Sequence, residues 1–171
     1  MKPLLILSLM FTLFGCSPFG VISSGSNSRP QGPVVYYEYS YSTMARYPAE
    51  YYRIDRDADG HVCIAWSKQH DADIAVIRGP EDLLGRVAGI VSANKLYKLK
   101  NSYRPRMDVL DGFMWHAAIG YEGDSIYTGG SNAWPPSKQS MGIVAINGMI
   151  EELVAASSES DIIARRSHND R

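Results

Sequence analysis

Asp55, Asp57, Asp59 and Gly60 stand in the run DRDADG, the spacing with which a calcium loop of the EF-hand kind opens. Such a loop takes oxygen ligands at its first, third and fifth positions, glycine at the sixth and a bidentate glutamate at the twelfth. Here Trp66 holds the twelfth position and Cys63 the ninth, and neither suits a hard cation. Val62, Ile64 and Trp66 alternate as a half-buried strand does, where the motif needs a helix. Asp59-Gly60 is also a strong hairpin-turn pair. A β-turn is therefore expected. A loose calcium site at Asp55, Asp57 and Asp59 is the weaker alternative, and no other metal or cofactor is assigned.

His61, Cys63 and His116 are the residues that could pair a nucleophile with a base. His61 and Cys63 are two apart, so on a strand they share a face. Neighbours at that spacing sit about 6–7 Å apart, longer than a hydrogen bond unless the rotamers converge. The ordinary fate of a lone cysteine is burial as a small hydrophobe. A zinc site from His61, Cys63 and His70 lacks a fourth ligand at sensible spacing. The sequence holds no GxSxG, HExxH or paired CxxC signature. The first expectation is a protein with no catalytic residues. A hydrolase-like enzyme using Cys63, or the Asp111, His116 and Asn132 region, is the alternative.

Seven of the eleven tyrosines fall between Tyr36 and Tyr52, so they are read as a group. Tyr37, Tyr39 and Tyr41 would share one face of a strand, with Tyr52 on a neighbour. Tyrosine fits a pleated, half-buried surface, which explains the cluster as packing. The competing explanation is a flat stacking surface for sugars or peptides.

These residues need elements to hold them. The chain has 171 residues, with 17 basic and 18 acidic side chains, a balance that asks for no nucleic acid. Runs at 34–41, 51–55, 61–66 and 72–77 read as strands, and 113–121 with 125–129 as a hairpin around Glu122-Gly123-Asp124. Gly79-Pro80-Glu81-Asp82 starts a helix whose apolar face is Leu83, Val87, Ile90 and Val91. A second helix begins near Ser140, with Ile143, Ile146, Ile150 and Leu153 as its buried stripe. The expected fold is α+β, a mostly antiparallel sheet of about six strands with two packed helices. Residues 34–156 form this single domain, 16–33 are a Ser-, Gly- and Pro-rich tether, and 157–171 are a frayed polar tail.

At the N-terminus Lys2 precedes an apolar run that ends in Leu13-Phe14-Gly15-Cys16. The run is too short to span a bilayer, which takes about 20 apolar residues. It has the anatomy of a signal peptide covering residues 1–15. The ending resembles the lipobox of bacterial lipoproteins, although Phe14 stands where a small or β-branched residue is usual. The resemblance implies that Cys16 carries a diacylglyceryl thioether and an acylated amino group such as palmitate gives, because one acyl chain anchors only marginally. With Ser17 rather than aspartate after the cysteine, it implies the outer membrane of a bacterial envelope. Cys63 then has no disulfide partner.

The segment 111–136, DGFMWHAAIGYEGDSIYTGGSNAWPP, resembles small uncharacterised lipoproteins and secreted proteins of Bacteroidetes and Firmicutes. The matching residues are Asp111, Gly112, Trp115, Ile126, Gly129, Gly130, Asn132, Trp134 and Pro135. The resemblance implies an α+β domain and no activity. Taken physically, Gly129-Gly130 would supply positive φ where a strand ends, Asn132 would stop the ladder, and Trp134 would cap the sheet. The alternative is a binding rim of Asp111, Trp115, Asn132 and Trp134. The expected function is a non-enzymatic envelope lipoprotein, held to the membrane by its lipid, that binds an envelope protein or a glycan.

Overall fold

The computed structural model describes residues 21–25, 30–43, 47–68, 70, 73–107, 109 and 112–170. In chain order the elements are β1 (Val21–Ser24), β2 (Val34–Ser42), β3 (Glu50–Arg56), β4 (Val62–Lys68), β5 (Asp73–Arg78), α1 (Leu83–Ala93), β6 (Ser102–Pro105), β7 (Met114–Tyr121), β8 (Asp124–Ser131), α2 (Ser137–Ala155) and β9 (Ile162–Ser167). The architecture is α+β, with both helices on one face of a single sheet.

Nine strands among the described residues pair in the order β1-β6-β8-β7-β2-β3-β4-β5-β9. All pairs are antiparallel except β6 with β8. The six strands expected from periodicity are β2, β3, β4, β5, β7 and β8. The other three, β1, β6 and β9, are short and polar and lie toward the sheet's two edges.

Two of these change the expected boundaries. Residues 21–24 of the tether pair with β6, and residues 162–167 of the tail pair with β5. The tail then crosses the open side of the sheet. The His168 ring stacks on Tyr47 at 5.7 Å, meets Tyr51 edge-on at 5.4 Å and lies 2.9 Å from the Ser67 hydroxyl. It borders a small second core of Tyr51, Cys63, Ala65, Ile74 and Val76, packed against Ala164 of β9. Burial of that patch supplies what the polar tail sequence does not advertise.

The main core fills the space between sheet and helices. Tyr37, Tyr39, Tyr52, Ile54, Ile64, Trp115, Ile119 and Ile126 meet Leu83, Leu84, Val87 and Val91 of α1 and Ile143, Ile146 and Ile150 of α2. The helical faces agree with the 3.6-residue spacing, with Ile90 and Leu153 at the half-buried margin. Helix α2 starts three residues ahead of Ser140, directly after Pro136. Gly142 is needed where the helices close up, since a Cβ there would lie 2.6 Å from the Cβ of Asn94.

Two polar bonds tie α2 to the sheet from inside. Tyr37 donates to Oδ1 of Asn147 at 2.8 Å, and Tyr52 donates to Oε1 of Glu151 at 2.7 Å. Both tyrosines keep their protons because burial disfavours the phenolate.

Candidate functional site

Strand alternation sends every second side chain of the sheet away from the helices. On β2 these are Tyr36, Glu38 and Ser40, on β3 Arg53, on β7 Met114, His116 and Ala118, and on β8 Tyr127, Gly129 and Ser131. With Asn101, and with Ser102 and Arg104 on β6, they line a groove of ≈ 650 Å³. The cross-strand rows are Tyr127, Ala118, Glu38 and Arg53, and next to them Gly129, His116 and Ser40. Small residues at Ala118 and Gly129 form the floor, so a ligand can approach the backbone. A Cβ on Gly129 would lie 2.8 Å from Nδ1 of His116 and 2.9 Å from the Trp115 carbonyl oxygen.

One wall is aromatic and one is charged. The Tyr36 hydroxyl donates to the Tyr127 hydroxyl at 3.2 Å. The Tyr36 ring lies over Gly120 and under the Arg53 guanidinium, 5.3 Å from ring centre to carbon. Burial, and then the bond to Tyr127, push the Tyr36 phenol up to about 12, so this wall is uncharged at neutral pH. The Tyr127 ring is largely exposed and free for stacking. Arg53 gives Nη1 to Glu38 and Nε to Asp55, each at 2.7 Å. Burial opposes its charge, but these two carboxylates outweigh that and keep it protonated.

The acidic turn is the β3–β4 hairpin connection. The Asp57 amide donates to the His61 carbonyl at 2.9 Å, and the Gly60 amide to the Asp57 carbonyl at 3.0 Å, with Gly60 at φ +87°. Asp57 Oδ1 accepts from the amides of Asp59 and His61, and its Oδ2 accepts from Arg78. Asp55 is taken by Arg53. Two of the three carboxylates that a loose calcium site would use, Asp55 and Asp57, are thus engaged by protein donors. Among the described residues no group of three His, Cys, Asp or Glu side chains converges to hold a metal ion.

Cys63 is buried in the second core, and desolvation, aided by nearby Asp57, raises its thiol above the usual value. A thiol held protonated is a poor nucleophile. His61 turns instead toward Glu81, at 3.6 Å. His116 lines the groove, whereas Asn132 does not. Among the described residues no hydrogen bond joins His116 to Ser40, its cross-strand neighbour.

The tyrosine stripe of Tyr37, Tyr39 and Tyr41 faces the core rather than solvent, with Tyr39 stacked on Tyr52 at 6.3 Å. The groove uses the opposite parity of the same strand. Arg53, Arg104 and Tyr127 carry no local signal in the sequence, and Tyr36 stands out there only as one of the tyrosine group. Once the apolar parity of β2 and β8 is known, Tyr36 and Tyr127 stand out as aromatic residues on the other face.

Of the expected rim, Trp115 is fully buried and donates Nε1–H to the Ala133 carbonyl at 2.7 Å. Asn132 adopts φ +51° and accepts the Phe113 amide at Oδ1, at 2.9 Å. It, and not Gly129-Gly130, carries the left-handed backbone at the strand end. Gly130 serves close approach instead, since a Cβ there would lie 2.3 Å from both Trp115 Nε1 and the Ala133 oxygen. Trp134 stacks on Trp115 and Phe113 but remains 38% exposed. Asp111 and Cys16 lie outside the described residues.

No protein-family model, no curated protein and no solved structure matches the chain.

Proposed function

We propose that this chain is a lipid-anchored module of the bacterial outer membrane that binds a partner and performs no chemistry of its own. The groove over β7 and β8 is its recognition surface. The observation that carries the reading is the pairing inside the groove. Arg53 is committed to Glu38 and Asp55, and His116 is bonded to no hydroxyl that it could activate among the described residues. A hydroxyl nucleophile is activated by a base within hydrogen-bond reach. Binding needs a concave apolar floor with a few fixed polar groups, and that is present. An open tyrosine face beside planar charged groups suits a glycan or an extended envelope peptide.

A photoreactive phenylalanine analogue placed at Tyr127 of the full chain tests this in growing cells. A discrete adduct is expected from Tyr127 and not from Met141, which is slightly more exposed but lies on α2. Absence of an adduct at Tyr127, or the same adduct from both positions, contradicts the groove as the recognition surface.

A further inference from the structure

Exposed large apolar side chains are not spread evenly over the molecule. Of ten such residues among those described, five gather at one end of the sheet: Val21, Met107, Val109, Met114 and Trp134. The strand register fixes this placement. Val21 opens β1 opposite Pro105, the last residue of β6. Strand β8 runs parallel to β6, with Tyr103 beside Gly130, so its exit toward Trp134 lies at the same end. Met114 opens β7 opposite Ser131, the last residue of β8. Met107 and Val109 lie on the connection from β6 to β7. Phe113 and Tyr41 extend the patch inward, stacked on Trp134 at 5.4 and 6.4 Å.

The chain also enters at this end. Cys16 precedes Val21 by five residues, which can span at most about 17 Å. A lipid on Cys16 would therefore hold this end of the sheet close to the bilayer. Concentrated exposed apolar surface marks an interaction site, and tryptophan favours the level of lipid headgroups. Arg104 and Arg106 are exposed at the same end, where anionic headgroups would attract them.

We propose that this end of the sheet is a membrane-contact face, on which Trp134, Met107 and Val109 enter the headgroup region of the bilayer that holds the anchor. The proposal rests on lipidation of Cys16. It makes the anchor a means of orientation as well as attachment. The groove, which Met114 and Arg104 border, then opens beside the membrane surface.

Brominated lipid tests it, because bromine on an acyl chain quenches tryptophan only at short range. The full chain, purified from membranes in detergent, is reconstituted into phosphatidylethanolamine–phosphatidylglycerol vesicles with and without dibrominated acyl chains. Trp115 is buried and Trp66 sits on β4 against the core, so Trp134 is the residue that reports. We expect brominated vesicles to lower the emission of the wild type. Trp134→Phe keeps the stack and should abolish that loss. Met107→Glu with Val109→Glu, both exposed, should reduce it without unfolding the domain. Equal emission in the two vesicle types, with protein and vesicles floating together, overturns the contact face and leaves the anchor standing. Protein that fails to float with the vesicles overturns the anchor, and the contact face with it.

Discussion

The indole of Trp134 lies flat on that of Trp115, with ring centres 5.3 Å apart and planes 9° from parallel. One ring is wholly buried and hydrogen-bonded, and the other keeps 38% of its surface exposed. The pair should separate by stability. Trp115→Ala removes a core aromatic and should cost about 3–5 kcal/mol. Trp134→Ala loses one stacked face and part of a burial, about 2 kcal/mol. Urea midpoints of the two variants check this, and an unchanged midpoint for Trp134→Ala contradicts the stacking role.

The bond from Tyr37 to Asn147 joins the sheet to α2 through the core. Tyr37→Phe leaves the Asn147 oxygen buried without that donor, at a cost of about 1–3 kcal/mol. Adding Asn147→Leu to Tyr37→Phe should recover part of the loss, because both partners are then apolar. A double mutant as unstable as the sum of its parts refutes the coupling.

Acid should act on Asp57 and Glu50 in opposite directions. Desolvation alone would raise the Asp57 carboxyl, but the His61 amide, Arg78 and the Asp59 amide outweigh it and hold it below its usual value. Its stabilisation is present above the ordinary carboxylate pKa of about 4 and is lost as pH falls through the lower folded value. Burial, and then Glu151, raise the Glu50 carboxyl, with Lys68 opposing. Glu50 is therefore least unfavourable in acid and costs stability as pH rises. We expect Asp57→Asn to lower the midpoint at about pH 7 more than at about pH 3, and Glu50→Gln to raise it at about pH 7 only. Shifts of the same sign for both variants would contradict this.

The central strands and both helices were legible in the sequence because each has a long, regular apolar period. The DRDADG turn was legible because Asp-Gly favours the hairpin and Val62, Ile64 and Trp66 alternate as a strand does. Strands β1, β6 and β9 were not, since four to six residues of VISS, SYRP or IIARRS carry too few apolar positions to show a period. Their pairing is decided by partners far away in sequence. The groove was hidden for a related reason. Tyr37 and Tyr39, the centre of the tyrosine stripe, share the parity of the core. Tyr36 and Tyr127 meet only when β2 and β8 flank β7, a neighbourhood that local pattern does not encode.

The tail makes its own test. His168 bonds Ser67 and sits between Tyr47 and Tyr51. His168→Ala should lower the unfolding midpoint by the equivalent of about 1 kcal/mol. Removing residues 162–171 should cost more, because it also bares the β5 edge and the Ile74 and Val76 patch, and such edges aggregate. A truncated chain as stable and monodisperse as the full one contradicts a docked tail.

Cys16 supports both functional proposals, since the groove is assigned to the envelope and the contact face to a bilayer through its lipid. Fractionation of cells expressing the full chain or Cys16→Ala tests this most directly. We expect the wild type in the membrane fraction as a processed, lipid-bearing form, and the variant as an unprocessed precursor or a soluble chain. A Cys16→Ala variant that is processed and membrane-bound like the wild type would contradict the lipid anchor.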